Sequence, residues 1–242
     1  MKIYGLVGKN IAYAHSRNYF SAKFKREKIA GASYRNFDIP TIGEIRKIWL
    51  TPNLAGLNIT IPYKEKVTPY LDDLSPEAMR IGAVNTIQFL KDKKIGHNTD
   101  AYGFEKSLIP LLKDVHTHAL ILGTGGASKA VTSVLKKLGI QYRCVSRTRR
   151  KNALTYEELC AKTILTHRLV VNCTPMGAYP DIDKAPDIPY EFLSPNHLVY
   201  DLIYNPDITA FMKRARAWGA QTTNGYQMLV LQAEKAWEIW NH

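Results

Sequence analysis

The chain has 242 residues, 45% of them hydrophobic and 22% charged, with a formal net charge of +12 at neutral pH. Such a composition marks a globular protein with room for one large domain or two modest ones, no apolar run approaches the length of a membrane span, and three cysteines without C-x-x-C spacing argue against a disulfide framework or a zinc site. The positive excess is dispersed, 16 Lys+Arg against 9 Asp+Glu in residues 1–102 and 17 against 12 in residues 103–242, which suits an anionic small molecule better than a nucleic acid.

Lys2 to Gly8 (KIYGLVG) reads as a first strand rather than a signal peptide, and a loop with His15 and Ser16 follows. Tyr19 to Ala30 has helical spacing, with Phe20 and Phe24 one turn apart. Ser33 to Ile39 is a second strand, Thr41 to Leu50 a helix, and Ala55 to Ile61 a third strand that runs into Pro62-Tyr63-Lys64. This alternation implies a mainly parallel sheet. Ser75-Pro76-Glu77 has the cap and proline of a helix start. Val84 to Leu90 and Lys94 to Asn98 flank a turn at Lys91-Asp92-Lys93. Asp100, a fair N-cap by itself, opens a helix to about Leu112. A domain boundary falls near residue 101.

The second half opens on ALILGTGGASKA (119–130). Four apolar residues form a buried strand, Gly123, Gly125 and Gly126 break it, and helix formers resume at Ala127 and continue to about Leu138. Strand, glycine turn and helix are the setting of a dinucleotide-binding loop, in which glycine lets the backbone approach a pyrophosphate. Ser128 replaces the third glycine of the motif. Gln141 to Val145 is the next strand, ending in Ser146-Arg147-Thr148-Arg149-Arg150-Lys151. An NAD site usually has an acid in this region; here there are four cations instead, which suit a 2′-phosphate. The alternative is a solvated basic turn. Thr155 to Ala161 is expected to be helical, Leu169 to Cys173 a strand, and residues 178–195 a loop with four prolines. Leu198 to Ile203 is a strand, Ile208 to Trp218 a helix, and Tyr226 to Trp240 a final helix apolar on two sides. Cys144, Cys160 and Cys173 all fall within apparent core elements, and a reducing cytoplasm fits them.

Polar residues in the first half gather at strand ends and the turns after them: Ser16, Asn58, Thr60, Lys64, Asn85, Asn98, Thr99 and Asp100. Ligands of open α/β sheets bind in such places. The segments NITIPYKE (58–65), GAVNT (82–86), GHNTDAYGF (96–104), GTGGASKA (123–130), NCTPMG (172–177) and YDLIYNP (200–206) complete the pattern, with Asn224-Gly225, Met228-Leu229 and Gln232 near the end. In this order, from residue 5 to residue 232, they resemble the motif set of the shikimate dehydrogenases.

That resemblance implies an α/β substrate-binding and catalytic domain (1–101) and a Rossmann-type NADP-binding domain (102–224). It also implies a C-terminal helix (225–242) that returns to the first domain, and reversible reduction of 3-dehydroshikimate to shikimate in aromatic amino acid biosynthesis. By motif position, Lys64 and Asp100 form the catalytic pair, and Ser16, Asn18, Thr60, Asn85, Tyr204 and Gln232 join them around the substrate. Gly123, Gly125, Gly126, Ala127, Ser146, Arg147, Thr148, Lys151, Thr174, Met176, Leu202 and Gly225 would contact or shape the NADP site. No metal is needed, because the cofactor carries the redox step. Two departures stand out. The family's second serine is replaced by Asn18 and no proline follows it, and the family's second adenosine-side arginine falls at Lys151. The first leaves open a quinate/shikimate dehydrogenase with relaxed substrate or cofactor choice. A non-catalytic, regulatory NADP-binding protein is the alternative from another class. The expected setting is a cytoplasmic monomer or homodimer acting on a small molecule, with neither nucleic acid nor membrane as partner.

Overall fold

A computed structural model describes residues 1–12 and 15–242. In chain order the strands are β1 (Lys2–Gly8), β2 (Ala32–Asp38), β3 (Leu54–Ile59), β4 (Asp73–Leu74), β5 (Thr86–Leu90), β6 (Lys93–His97), β7 (His118–Leu122), β8 (Gln141–Ser146), β9 (Ala153–Thr155), β10 (Leu169–Asn172), β11 (Leu198–Asp201) and β12 (Gln221–Thr223). The helices are α1 (Ser16–Arg26), α2 (Ile45–Ile48), α3 (Pro76–Ile81), α4 (Asp100–Leu108), α5 (Gly126–Lys137), α6 (Ala161–Thr166), α7 (Ala210–Ala217) and α8 (Tyr226–Trp240). The chain divides into two compact units, Met1–Tyr102 with Gln232–His242, and Gly103–Leu231.

The first unit is built on a six-stranded sheet in the order β2-β1-β3-β5-β6-β4. β1 runs parallel to β2 and β3, while β5 pairs antiparallel with both β3 and β6. The sheet is therefore mixed: β5 is antiparallel to both its neighbours, its hairpin turn to β6 includes Lys91 at φ +55°, and β4 runs parallel to β6. On one face lie Val7, Ile45, Leu57, Ile59, Tyr63 and Ile87. On the other, α1 and the end of α8 pack through Tyr4, Phe20, Phe24, Tyr34, Ala236 and Trp240. Trp240 donates its indole N–H to the Ile87 carbonyl at 3.0 Å, which pins the end of α8 to β5.

The second unit has a six-stranded, wholly parallel sheet in the order β12-β11-β10-β7-β8-β9. The chain moves outward from β7 in one direction through β8 and β9, then returns to β10 and moves out the other way. The strand order thus reverses between β7 and β10, the switch point at which open α/β sheets bind ligands. β10 and β11 are fully buried, their polar last residues Asn172 and Asp201 included.

Several sequence expectations are corrected. α1 begins at Ser16 and stops at Arg26, earlier at both ends than its apolar spacing indicates, because Lys28 turns to φ +53° and Gly31 to φ +73° before β2. The expected helix 155–161 is instead the end of β9, a 3₁₀ turn at Tyr156–Glu158 closed by a Thr155/Glu158 capping box, and then α6. Cys160 is extended at the α6 start, so the helix cannot run through it, and its side chain is exposed rather than in the core. Asp100 is the first residue inside α4; the Asn98 side chain accepts from the Ala101 N–H at 3.1 Å and does the capping. Pro110 ends α4 early, and a 3₁₀ turn carries the chain to Leu111.

Candidate active site

The first polar centre lies in the first unit, where β3 ends and α4 begins. After β3 the chain turns tightly: Tyr63 N–H bonds the Thr60 carbonyl at 2.9 Å, and the buried Tyr63 hydroxyl donates to the Ile39 carbonyl at 2.7 Å. The Lys64 carbonyl receives Val84 N–H at 2.7 Å, so the backbone of Lys64 is fixed. Its ammonium then reaches Asp100 Oδ2 at 2.6 Å. Only 16% of the lysine side chain and 8% of the aspartate side chain are exposed, so the pair is shielded from the screening that weakens surface ion pairs. Capping by Asn98 leaves the Asp100 carboxylate available for this role.

Asn85 holds the other oxygen of Asp100, donating Nδ2–H to Oδ1 at 2.9 Å. Its own Oδ1 accepts Thr99 N–H at 2.7 Å. Because a backbone amide can only donate, this contact fixes which end of the Asn85 amide is oxygen. Gln232, on α8, brings Oε1 within 3.4 Å of both Asn85 Nδ2 and Thr99 Oγ1. Thus Lys64, Asp100, Asn85 and Gln232, separated by up to 168 positions in the chain, converge on one place. Ser16 sits half-buried on the first turn of α1, bonded to the Tyr34 hydroxyl. Burial pushes the Tyr34 phenol well above its usual range, and the bond from Ser16 works the other way. Thr60 is half-buried just after β3, whereas Asn18 is exposed on α1. Tyr204 belongs to the second unit, half-buried after β11, where burial raises its phenol.

The second centre lies at the carboxyl ends of the second unit's strands. Gly123 has φ +110°, a conformation that favours glycine, and a Cβ there would press on the Cys173 backbone at 3.3 Å and Thr174 at 3.2 Å. Gly125 caps α5 in extended conformation and faces open space, so a ligand can come close to its backbone. Gly126 and Ala127 follow in the first turn of α5, whose N–H groups there have no helical acceptor. Ser128, buried in place of a third glycine, donates to the Gly125 carbonyl at 2.6 Å. Ser146 is buried at the end of β8; Arg147, Thr148 and Lys151 after it are exposed. Thr148 N–H bonds Ser146 Oγ at 3.3 Å, and Arg149 lies 3.7 Å from Glu158. Gly225 is forced by sterics, since any side chain there would run into the Leu202 carbonyl.

The loop with Thr174 and Met176 hangs on a buried hub that the sequence reading missed. Asn172 Oδ1 accepts from the Thr174 amide at 3.0 Å and hydroxyl at 2.7 Å, and Met176 N–H bonds Thr174 Oγ1 at 3.3 Å. Asn172 Nδ2 in turn donates to Asp201 Oδ1 at 2.9 Å. Asp201 also accepts from Ile203 N–H at 3.1 Å and Thr209 Oγ1 at 2.7 Å. Burial pushes its carboxyl up to about 6, against these bonds, which favour the charged form. An acid within the apolar run LVYDLIY was the available signal. Among the described residues, no three His, Cys, Asp or Glu side chains gather as a metal site, and no helix is long and apolar enough to cross a membrane.

The reversed strand order, the glycine turn at the switch point and the cations after β8 define the second unit as a Rossmann-type dinucleotide-binding fold. The first unit adds a shielded lysine–aspartate pair. Residues 6–87 match the family model described as the shikimate dehydrogenase substrate binding domain. The shikimate dehydrogenase (NADP(+)) of Clostridium beijerinckii is 37% identical over 99% of this chain and 92% of its own. Among solved structures, shikimate dehydrogenase 1 of Peptoclostridium difficile superposes with a TM-score of 0.87 at 35% identity, covering 100% of this chain and 92% of that one. The enzyme of Thermus thermophilus, crystallised with NADP(H) and shikimate, gives 0.86 at 29% identity, covering 99% and 93%. The chain belongs to the shikimate dehydrogenase family.

Proposed function

We propose that this chain is an NADP-dependent shikimate dehydrogenase, which reversibly reduces 3-dehydroshikimate to shikimate in aromatic amino acid biosynthesis. The observation that carries the reading is the shielded Lys64–Asp100 pair, 2.6 Å apart and steadied by Asn85, in a member of this family. NADP, when bound, supplies or accepts the hydride. Gly123, Gly125, Gly126 and Ala127 would face its pyrophosphate, and Ser146, Arg147, Thr148 and Lys151 its 2′-phosphate. Thr174, Met176, Leu202 and Gly225 would shape the rest of the site. The open backbone at Gly125 and the exposed cations fit such a group.

As the substrate ketone is reduced, negative charge grows on its oxygen. The Lys64 ammonium stabilises that charge and gives up a proton to it; in the reverse direction the amine takes the proton back. Asp100 orients the lysine and accepts from a substrate hydroxyl. Asn85, Thr60 and Gln232 supply further polar contacts, and Ser16, Asn18 and Tyr204 serve the carboxylate. The dispersed charge supports a small anionic substrate over nucleic acid, and the three free cysteines support a cytoplasmic setting. The protein acts as a monomer or homodimer.

The test is a matrix of shikimate and quinate against NADP and NAD. Turnover of shikimate with NADP well above the other three combinations is expected. Equal turnover of quinate would assign the chain to the relaxed-specificity branch that Asn18 invites, and no turnover of either would leave a binding protein.

A further inference from the structure

Behind the Lys64–Asp100 pair runs a buried chain of hydrogen bonds in which every donor points toward Asp100. The Tyr34 hydroxyl donates to Asn58 Oδ1 at 2.8 Å. Asn58 Nδ2 donates to Thr86 Oγ1 at 3.2 Å, Thr86 Oγ1 donates to Asn85 Oδ1 at 3.2 Å, and Asn85 Nδ2 donates to Asp100 at 2.9 Å. Tyr34, Asn58, Thr86 and Asn85 are each 5% exposed or less, and Thr86 is fully buried.

The direction at both amides follows from proton counting. Asn58 Nδ2 also faces the Asn85 carbonyl at 3.3 Å, which can only accept, so Asn58 Oδ1 must face Tyr34 and Tyr34 must donate. At the other end Thr99 N–H fixes Asn85 Oδ1. Between them stands Thr86, whose Oγ1 receives from the first amide and has its own proton for either the second amide at Asn85 Oδ1, 3.2 Å away, or Thr99 Oγ1 at 3.3 Å, which that amide also bonds. Aligned donors polarise one another, so the last N–H in the row is strengthened by those behind it.

We propose that Thr86 is a positioning residue for the reaction, setting the Asn85 amide and through it the Asp100 carboxylate that faces Lys64, with Tyr34 as the far end of the same row. This rests on the reading of Lys64 and Asp100 as the catalytic pair. Thr86→Val keeps the shape of the side chain but removes its hydroxyl, leaving a buried Asn58 N–H without its acceptor.

The test is steady-state kinetics on the full-length protein with circular dichroism for folding, comparing Thr86→Val, Thr86→Ser, Tyr34→Phe and Lys64→Ala. For Thr86→Val, kcat/KM for shikimate should fall about three- to tenfold, the effect of one hydrogen bond, while KM for NADP stays at the wild-type value. Thr86→Ser, which restores the hydroxyl, should recover the activity. Tyr34→Phe retains the ring stacked on Phe20 at 4.5 Å; because it also removes the partner of Ser16, its effect is read on kcat, which should fall at smaller size, and this keeps the test decisive even if Thr86→Val fails to fold. Wild-type shikimate kinetics in both Thr86→Val and Tyr34→Phe, or a parallel rise in KM for NADP, would overturn the proposal while an inactive Lys64→Ala left the catalytic pair standing. An active Lys64→Ala would overturn the pair and this role together.

Discussion

Lys64 and Arg147 show how differently two cations are used in one chain. Lys64 is shielded, held by its backbone and paired with Asp100; Arg147 is exposed at a strand end. On the proposed mechanism, Lys64→Ala removes both the proton donor and the charge that meets the growing oxyanion. General acid–base catalysis contributes about 10²–10⁴-fold, so kcat should fall by that order with KM for NADP barely changed. Asp100→Asn should also slow turnover, and the double variant should lose little more than Lys64→Ala alone, because the pair acts as a unit. Steady-state kinetics of folded variants check this; near wild-type kcat in Lys64→Ala would end the mechanism. Arg147→Ala should weaken NADP binding about tenfold or more, the worth of one charged hydrogen bond to a phosphate, and leave NAD binding nearly unchanged. Equal losses for the two cofactors, measured by titration, would remove the 2′-phosphate assignment. Residues such as Lys64, Asp100, Asn85 and Gln232 were legible because motifs mark them. Tyr34 lies in no motif, and GAVNT marked Thr86 without its role, because a polar residue in a strand looks the same whether it faces water or a buried partner.

At the scale of elements, strands were easier to read than helix ends. β1, β7, β10 and β11 are apolar runs that burial alone explains. The short strands β4, β9 and β12 have two or three residues each, too few for periodicity to register, and exist because a neighbouring strand offers hydrogen bonds. The Asp201 hub, which ties the end of β11 to the 172–177 loop, was equally hidden, since its partners come from separate segments. Its raised carboxyl makes a pH prediction. A group whose folded pKa, about 6, lies above the ordinary value of 3.8 binds protons more tightly when folded. Its favourable contribution is complete below the unfolded value and is lost as pH rises through about 6. Relative to Asp201→Asn, which does not titrate, the wild type should therefore lose on the order of 3 kcal/mol between pH 4 and pH 7. Urea denaturation of both proteins across that range measures the difference. A difference independent of pH would mean that the three hydrogen bonds fully offset burial.

For the whole molecule, the notable fact is that the first unit is completed by the last eleven residues, Gln232–His242. The sequence showed a final helix with too many apolar residues for one face, and the structure shows why. Ala233, Ala236 and Trp240 fill the layer that also holds Tyr4 and Phe20, with the Trp240 ring 5.0 Å from Tyr4 and 5.4 Å from Phe20. The same helix delivers Gln232 to Asn85 and Thr99, so the packing of this unit and the placement of Gln232 depend on one segment that arrives after all its strands. Trp240→Ala would remove a ring that is only 8% exposed and the N–H that bonds the Ile87 carbonyl. Truncating a buried aromatic of this size costs about 3–5 kcal/mol. The expected result is a large drop in the urea midpoint by circular dichroism, with KM for shikimate raised, because Gln232 is less firmly held, and affinity for NADP unchanged at temperatures where the protein stays folded. Titration of each ligand separates the two effects. A Trp240→Ala protein with the wild-type midpoint would show that the end of α8 rests on the first unit without holding it together.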